Sequence, residues 1–316
     1  MQIQRNSCKN PLWQEERKNV KIGIPRAFYY HSYPGLWECF FRKLGHEPVV
    51  SSLSTQKTLE TASAQTETEN CLPQKLFDGH VLSLIGKVDA VFVPRIHSIV
   101  KKHNCCPRFG ALLDATRAGI ARGVRLVSTE INETETPLAK TLLTLARTNL
   151  GADRKTAKIA VAEALKAMER HHREEVAGQQ AQAGKQKYLL LGHPYTLHDQ
   201  FIAAPIVDKL KQLQTQPELM TFGDNDKAPG DILWCVFDKM HHKLQNIDKR
   251  LYRGVIQITT FNCGADSMMA ERFRRVCKQK GVPYMLLMVD EHTDKAGLDT
   301  RLEAFVDSLS WKDLPI

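Results

Sequence analysis

The chain has 316 residues, 42% of them hydrophobic and 25% charged, with a formal net charge of +9. That is ordinary for a water-exposed globular protein of about two domains and excludes a disordered or collagen-like chain. The basic excess suits anionic partners such as nucleic acid, CoA-type ligands or acidic proteins, and equally a plain solvated surface.

Residues 1–20 are polar and without period and read as a tail; Met1 to Cys8 has no apolar stretch, so no secretory signal is read there and a cytoplasmic setting is expected. Lys21 to Pro25 reads as a buried strand, Pro34 to Leu44 as a helix stopped by Gly45, and Glu47 to Ser52 as a second strand. A polar stretch at 54–70 reads as a loop with a short helix. Pro73 to Ile85 reads as a helix with Leu76, Val81, Leu82 and Ile85 on one face, and Asp89 to Pro94 as the clearest strand of the first half. A helix over 109–122 and a strand over 124–128 follow. Residues 135–185 are rich in Ala, Leu, Lys, Glu, Arg and Gln and predict a pair of helices, ending in a flexible connection near Gly178 to Gly184.

The strand–helix alternation then restarts. Tyr188 to Gly192 is a strand, Pro205 to Leu213 a helix, Glu218 to Phe222 a short strand, and Gly254 to Thr259 a strand running into Cys263. Asp266 and Ser267 are expected to cap a helix through Lys280. Tyr284 to Val289 is a strand and Arg301 to Leu309 a closing helix. The fold class expected is α/β, with two doubly wound, mainly parallel sheets and a helical insert between them. The boundaries are a tail at 1–20, a first α/β domain at 21–134 carrying Cys71 and Cys106, an insert at 135–185, and a second α/β domain at 186–316 carrying Cys263. No apolar run approaches the roughly 20 residues of a membrane helix.

Three of the 8 cysteines stand out. Cys71 in Asn70-Cys71-Leu72-Pro73, Cys106 in Cys106-Pro107-Arg108 and Cys263 in Asn262-Cys263-Gly264 each follow an extended segment and open a helix, where the dipole favours a thiolate. They have no local CxxC spacing, so a zinc ribbon or ferredoxin loop is excluded and any shared site must be assembled by the fold. Three converging thiolates would suit an iron–sulfur cluster better than a disulfide; separate buried cysteines are the alternative. A second constellation is His193-Pro194-Tyr195 with Asp199, at a strand end where open sheets gather ligands. A third is Asp290-Glu291-His292-Thr293-Asp294, able to hold a cation, act as acid and base, or hold the basic helix Arg272 to Arg275. Arg95 to His97 and Gly23 to Arg26 also follow strands. Neither a Walker A pattern nor G-x-G-x-x-G is present, nor are G-x-S-x-G and H-E-x-x-H.

Six short motifs occur in order: Ile22-Gly23-Ile24-Pro25-Arg26-Ala27, Asn70-Cys71-Leu72-Pro73-Gln74-Lys75, Cys106-Pro107-Arg108-Phe109, Leu191-Gly192-His193-Pro194-Tyr195, Asn262-Cys263-Gly264-Ala265-Asp266-Ser267 and Asp290-Glu291-His292-Thr293. Over roughly 21–310 this series resembles the acyl-CoA dehydratase activase-related proteins, relatives of the 2-hydroxyacyl-CoA dehydratases and the double-cubane-cluster proteins. The resemblance implies Rossmann-like domains and a 4Fe–4S cluster, or a double-cubane or bridged one, on Cys71, Cys106 and Cys263, with one iron left open. It implies low-potential electrons from an ATP-dependent activator that has its own iron–sulfur cluster, acyl-CoA or another small substrate, and a homodimer with two facing clusters. Glu69, His193, Asp290, Glu291 and His292 are the acid–base candidates. Cys105 is a spare beside Cys106, and Cys8, Cys39, Cys235 and Cys277 are expected to be structural.

The function expected is therefore an iron–sulfur redox protein of the dehydratase type. One alternative is a non-catalytic carrier of electrons or clusters for a larger enzyme. Another is a zinc-stabilised or metal-free nucleotide- or nucleic-acid-binding protein, although the basic residues do not interleave with aromatics as in single-strand binders. No membrane and no nucleic acid are expected as partners in the leading reading.

Overall fold

The computed structural model describes residues 19–180, 187–222, 230 and 232–310. Most of the expected tail, Cys8 and much of the 178–184 connection lie outside the described residues. Among those described, no helix is long and apolar enough to cross a membrane.

The fold is α/β, with two four-stranded parallel sheets and a parallel two-stranded ribbon. The first sheet holds β1 (Lys21–Ile24), β2 (Glu47–Val50), β3 (Ala90–Phe92) and β5 (Leu126–Val127), in the order β2-β1-β3-β5. Ile22 pairs with both Pro48 and Ala90. The ribbon pairs β4 (Arg95–Ser98) with β6 (Glu130–Asn132). The second sheet holds β7 (Lys187–Leu191), β8 (Gln216–Leu219), β9 (Tyr252–Thr260) and β10 (Tyr284–Val289), in the order β10-β9-β7-β8. In each sheet the first strand lies inside and the chain winds outward to both sides. This creates a switch point between β1 and β3, and another between β7 and β9. Such points leave a crevice beyond the carboxyl ends of the strands. His193 follows β7 there, and Cys263 follows β9.

Each sheet has its own apolar cluster. Ile22, Trp37, Phe40, Phe41 and Phe92 are fully buried in the first, Leu189, Ile256, Phe273 and Leu302 in the second. Helix α4 (Leu72–Leu84) joins them: Phe77, Val81 and Leu84 pack in the first cluster, Leu72 and Leu76 in the second. It is therefore buried almost all round, not on one face. α1 (Tyr29–Ser32), α2 (Leu36–Lys43) and α3 (Gln56–Ser63) precede it; α5 (Pro107–Ala118) and α6 (Leu138–Thr144) follow. A single π turn, Leu145–Asn149, leads to Gly151 at φ +67° and then to the 27-residue α7 (Arg154–Gln180). Ala157, Ala160, Val161 and Ala164 of α7 enter the first cluster, where α7 lies on α2.

Several helix boundaries differ from expectation; α5, for one, ends at Ala118 and not at 122. The helix expected from Pro205 is α9 (Gln200–Gln212) and encloses that proline, because Asp199 caps it by accepting from the Phe201 N–H at 2.9 Å. This follows α8 (Pro194–Leu197). The helix expected to be capped by Asp266 and Ser267 is α11 (Gly264–Lys280), with Cys263 at its N-cap. The closing helix α12 (Lys295–Ser310) begins before Arg301. Between β8 and β9 lies a further helix, α10 (Cys235–Gln245), absent from the expected elements.

Candidate functional site

Cys71, Cys106 and Cys263 are the N-cap residues of α4, α5 and α11, and none of the three thiols makes a side-chain cap bond. Prolines at the first or second position of α4 and α5 remove a donor that the helix start would leave unsatisfied anyway. The thiols lie close enough to act on one another. Burial raises the Cys71 thiol, against the Gln74 N–H and Arg108, and Cys106 adds to the rise. Burial likewise raises Cys263 strongly, and Asp266 and Cys71 add to it. At these two positions burial outweighs the helix-start N–H contacts, so the helix start alone does not create a thiolate.

Cys106 and Cys263 line a mostly apolar cavity of about 280 Å³ with Cys105, Cys235, His193 and Trp234. His193 is the N-cap of α8, and its ring stacks on Tyr195 at 4.8 Å and meets Phe237 edge-on at 5.0 Å. Its Nε2 lies 3.3 Å from Oδ1 of Asp266, off the line of a hydrogen bond, while Oδ2 accepts from the Thr259 hydroxyl at 2.8 Å. Burial alone would raise the Asp266 carboxyl; the His193, Thr259 and Cys263 contacts outweigh it and hold the group below its usual range. Burial, followed by Cys263, Asp266, Cys71 and Cys106, holds the Tyr195 hydroxyl well above its usual range. All three thiols therefore act on one tyrosine hydroxyl. One atom each of His193, Cys263 and Asp266 lie within 4.8 Å of one another, a spacing a metal ion can bridge.

The other four acid–base candidates lie in a separate cleft of about 340 Å³, with Asn262, between the helix starts of Cys71 and Cys263. Glu69 is exposed, and its Oε2 accepts from Asn262 at 3.4 Å. Asp290 Oδ1 accepts from the His292 N–H and from the Thr293 hydroxyl. Glu291 pairs with buried Lys75. The alternative that this segment holds the Arg272 to Arg275 helix is overturned: Arg274 and Arg275 pair with Glu271 on their own helix. Arg95 is paired with Asp114, and Asp199 with Ser54.

A further cavity of about 740 Å³ backs onto the thiol cavity, sharing Ser32, Ile99, Pro194, Cys235 and Val236 with it. His31, His198 and Glu175 line it. The His31 and His198 rings stack at 6.4 Å, and His198 Nε2 lies 3.3 Å from Glu175 Oε1. Burial, then His198, lowers His31 to about 3; burial, then His172, lowers His198 to about 4; and burial raises Glu175 to about 7. Sequence reading missed this cavity; the signal was His172 and Glu175 one turn apart on the mostly solvated second half of α7.

No curated protein matches the chain. Similar solved structures include a zinc-bound ZnuA 138–173 deletion mutant (12% identity, 93% of this chain and 97% of that chain, TM-score 0.28). They also include a putative Asp/Glu racemase from Yersinia pestis (12%, 92% and 99%, TM-score 0.23). A third is a mutant laminin-binding adhesin (Lmb) from Streptococcus agalactiae (10%, 92% and 99%, TM-score 0.26). Scores this low carry no argument about function. Residues 21–220, well over half of the chain, match the family described as CoA enzyme activase uncharacterised domain (DUF2229), and the chain belongs to that family.

Proposed function

We propose that this chain is an iron–sulfur redox protein of the 2-hydroxyacyl-CoA dehydratase type, with Cys71, Cys106 and Cys263 holding a 4Fe–4S cluster. One observation supports the reading: three cysteines from distant segments, each at a helix start, all act on the Tyr195 hydroxyl. The donor set fits, because three cysteine sulfurs can ligate iron, and helix-start N–H groups such as those of Gln74 and Asp266 would offset the charge of the bound sulfurs. When bound, such a cluster supplies one-electron chemistry at low potential and leaves one iron without a protein ligand.

The chain's own groups supply the rest. His193 and Asp266 form a buried pair that can hold or move a proton at the imidazole beside Cys263. Phe28, Phe109 and Tyr195 pack together at ring distances of 4.9–5.9 Å, and Phe109 and Tyr195 give the thiol cavity an apolar wall. The two contiguous cavities suit a small substrate, acyl-CoA or another, with its reacting part beside the thiols. Phe261 and Met268, 53% and 62% exposed beside Cys263, offer apolar contact to an ATP-dependent activator or a second copy. The family description supports an activator partnership. An electron- or cluster-carrying role uses the same residues and differs only in lacking turnover.

A second reading, a single zinc ion, is favoured by the proximity of His193, Cys263 and Asp266. Anaerobic metal and sulfide analysis separates the two. The cluster reading expects about four irons with matching sulfide and an EPR signal on reduction. It expects their loss in each of Cys71→Ala, Cys106→Ala and Cys263→Ala, and retention in Cys277→Ala, whose thiol lies in the second core. Stoichiometric zinc without sulfide would replace it by the second reading.

A further inference from the structure

Cys105 and Cys235 are outside the proposed ligand set, yet both line the thiol cavity. The residues before them, Asn104 and Trp234, form a parallel β-bridge, and the Asn104 N–H donates to the Leu233 carbonyl at 2.8 Å. The two cysteines directly follow the bridged residues: Cys105 donates its N–H to the His97 carbonyl at 2.8 Å, and Cys235 opens α10. Bridged strands run about 5 Å apart, within the roughly 4.4–6.8 Å that a disulfide requires between its Cα atoms. Each thiol also acts on the Tyr33 hydroxyl, which is 5% exposed and has no hydrogen-bond partner. That hydroxyl can donate to a thiolate.

We propose that Cys105 and Cys235 are a dithiol modification site, closed to an internal disulfide by exchange with a low-molecular-weight disulfide. Cys105 is half-buried and Cys235 is 3% exposed, so Cys105 attacks first and Cys235 resolves. The Cys105 thiolate breaks the reagent's S–S bond, forms a mixed disulfide and expels one small thiolate. The Cys235 thiolate then attacks the Cys105 sulfur and expels the second. The two cysteines lose two protons and two electrons, and the reagent gains them as two thiols. The bond would tie the segment before Cys106 to the start of α10, fixing one wall of the cavity. It does not depend on the cluster, because neither cysteine is assigned to it.

The experiment treats the full chain, as purified, with 2-hydroxyethyl disulfide, blocks remaining thiols by alkylation and maps peptides without reduction. Fragmentation of the linked peptides is expected to place the bond between Cys105 and Cys235 in most molecules, with no reagent retained on either. Cys235→Ser should keep the reagent on Cys105, and Cys105→Ser should leave Cys235 open to alkylation after unfolding. The wild-type map needs no variant to fold. Reagent retained on Cys105 in the wild type, a bond from Cys235 to Cys106 or Cys263, or no bond at all would overturn the proposal.

Discussion

His80 is 1% exposed on α4, and its Nε2 lies 2.9 Å from the Ser54 hydroxyl, which also donates to Asp199. Burial, with Arg26 adding to it, lowers its imidazole to about 4. The unfolded chain titrates this group near 6.5 and so takes the proton first. Stability from a neutral His80 is therefore complete above pH 6.5 and is lost as pH falls toward 4. At about 1.4 kcal/mol per pH unit, the loss between pH 6.5 and 5 is about 2 kcal/mol. Asp78 and Glu175, both raised to about 7 chiefly by burial, act in the opposite direction, but in wild type and variant alike. Denaturant unfolding of wild type and His80→Gln should give a stability gap about 2 kcal/mol smaller at pH 5 than at pH 7; an unchanged gap would refute a burial-neutral His80. Residues of this kind resist reading from sequence. A cysteine before proline announces a helix start, and Cys71 and Cys106 were legible for that reason. Asp266 looked like a cap because the sequence does not say whether an acid in a first turn faces the backbone or the core. It faces Thr259 and His193.

α3 and α4 meet at Gly79, where an added Cβ would stand 2.2 Å from the Thr58 carbonyl oxygen. Alanine would gain about 1 kcal/mol of helix propensity. The contact is with backbone, which can only move by shifting α3, and overpacking of that kind costs about 1–3 kcal/mol. Gly79→Ala should therefore destabilise the protein by up to about 2 kcal/mol in a denaturant melt, although the same change stabilises an open helix. A stabilised variant would mean that α3 moves freely over α4. The same helix illustrates what patterning can and cannot convey. β7 and β9 were legible because a parallel strand covered on both faces is an unbroken apolar run, as in Tyr188 to Leu191. α4 reads as a one-faced helix because its polar residues suggest solvent. Lys75, Asp78 and His80 are instead buried with partners. α10 escaped notice for a related reason. Asp238 is 0% exposed and accepts from the Gly230 and Ile232 N–H groups and contacts His103, which breaks the apolar stripe.

Across the whole molecule, the two sheets are linked through α4, and the Lys75–Glu291 pair is one direct tie. Lys75 stands on the helix that packs in both apolar clusters, while Glu291 follows β10 of the second sheet. The lysine side chain is 5% exposed and the glutamate 22%. Removing the acid would strand a buried ammonium. For a fully buried pair that costs about 3–5 kcal/mol, and partial exposure of Glu291 reduces it to about 2–3. Because α4 belongs to both clusters, the loss should be felt in both sheets. Amide exchange measured at β3 and at β9 should therefore lose protection together in Glu291→Gln, by about 30- to 150-fold, the factor that 2–3 kcal/mol represents. Adding Lys75→Met should restore most of the protection, since the stranded charge is then gone. Loss confined to β9 and β10, with β3 unchanged, would mean that the sheets open independently. The proposed cluster would then not be held by a single cooperative unit, because Cys71 and Cys106 open helices on one side of that tie and Cys263 follows β9 on the other.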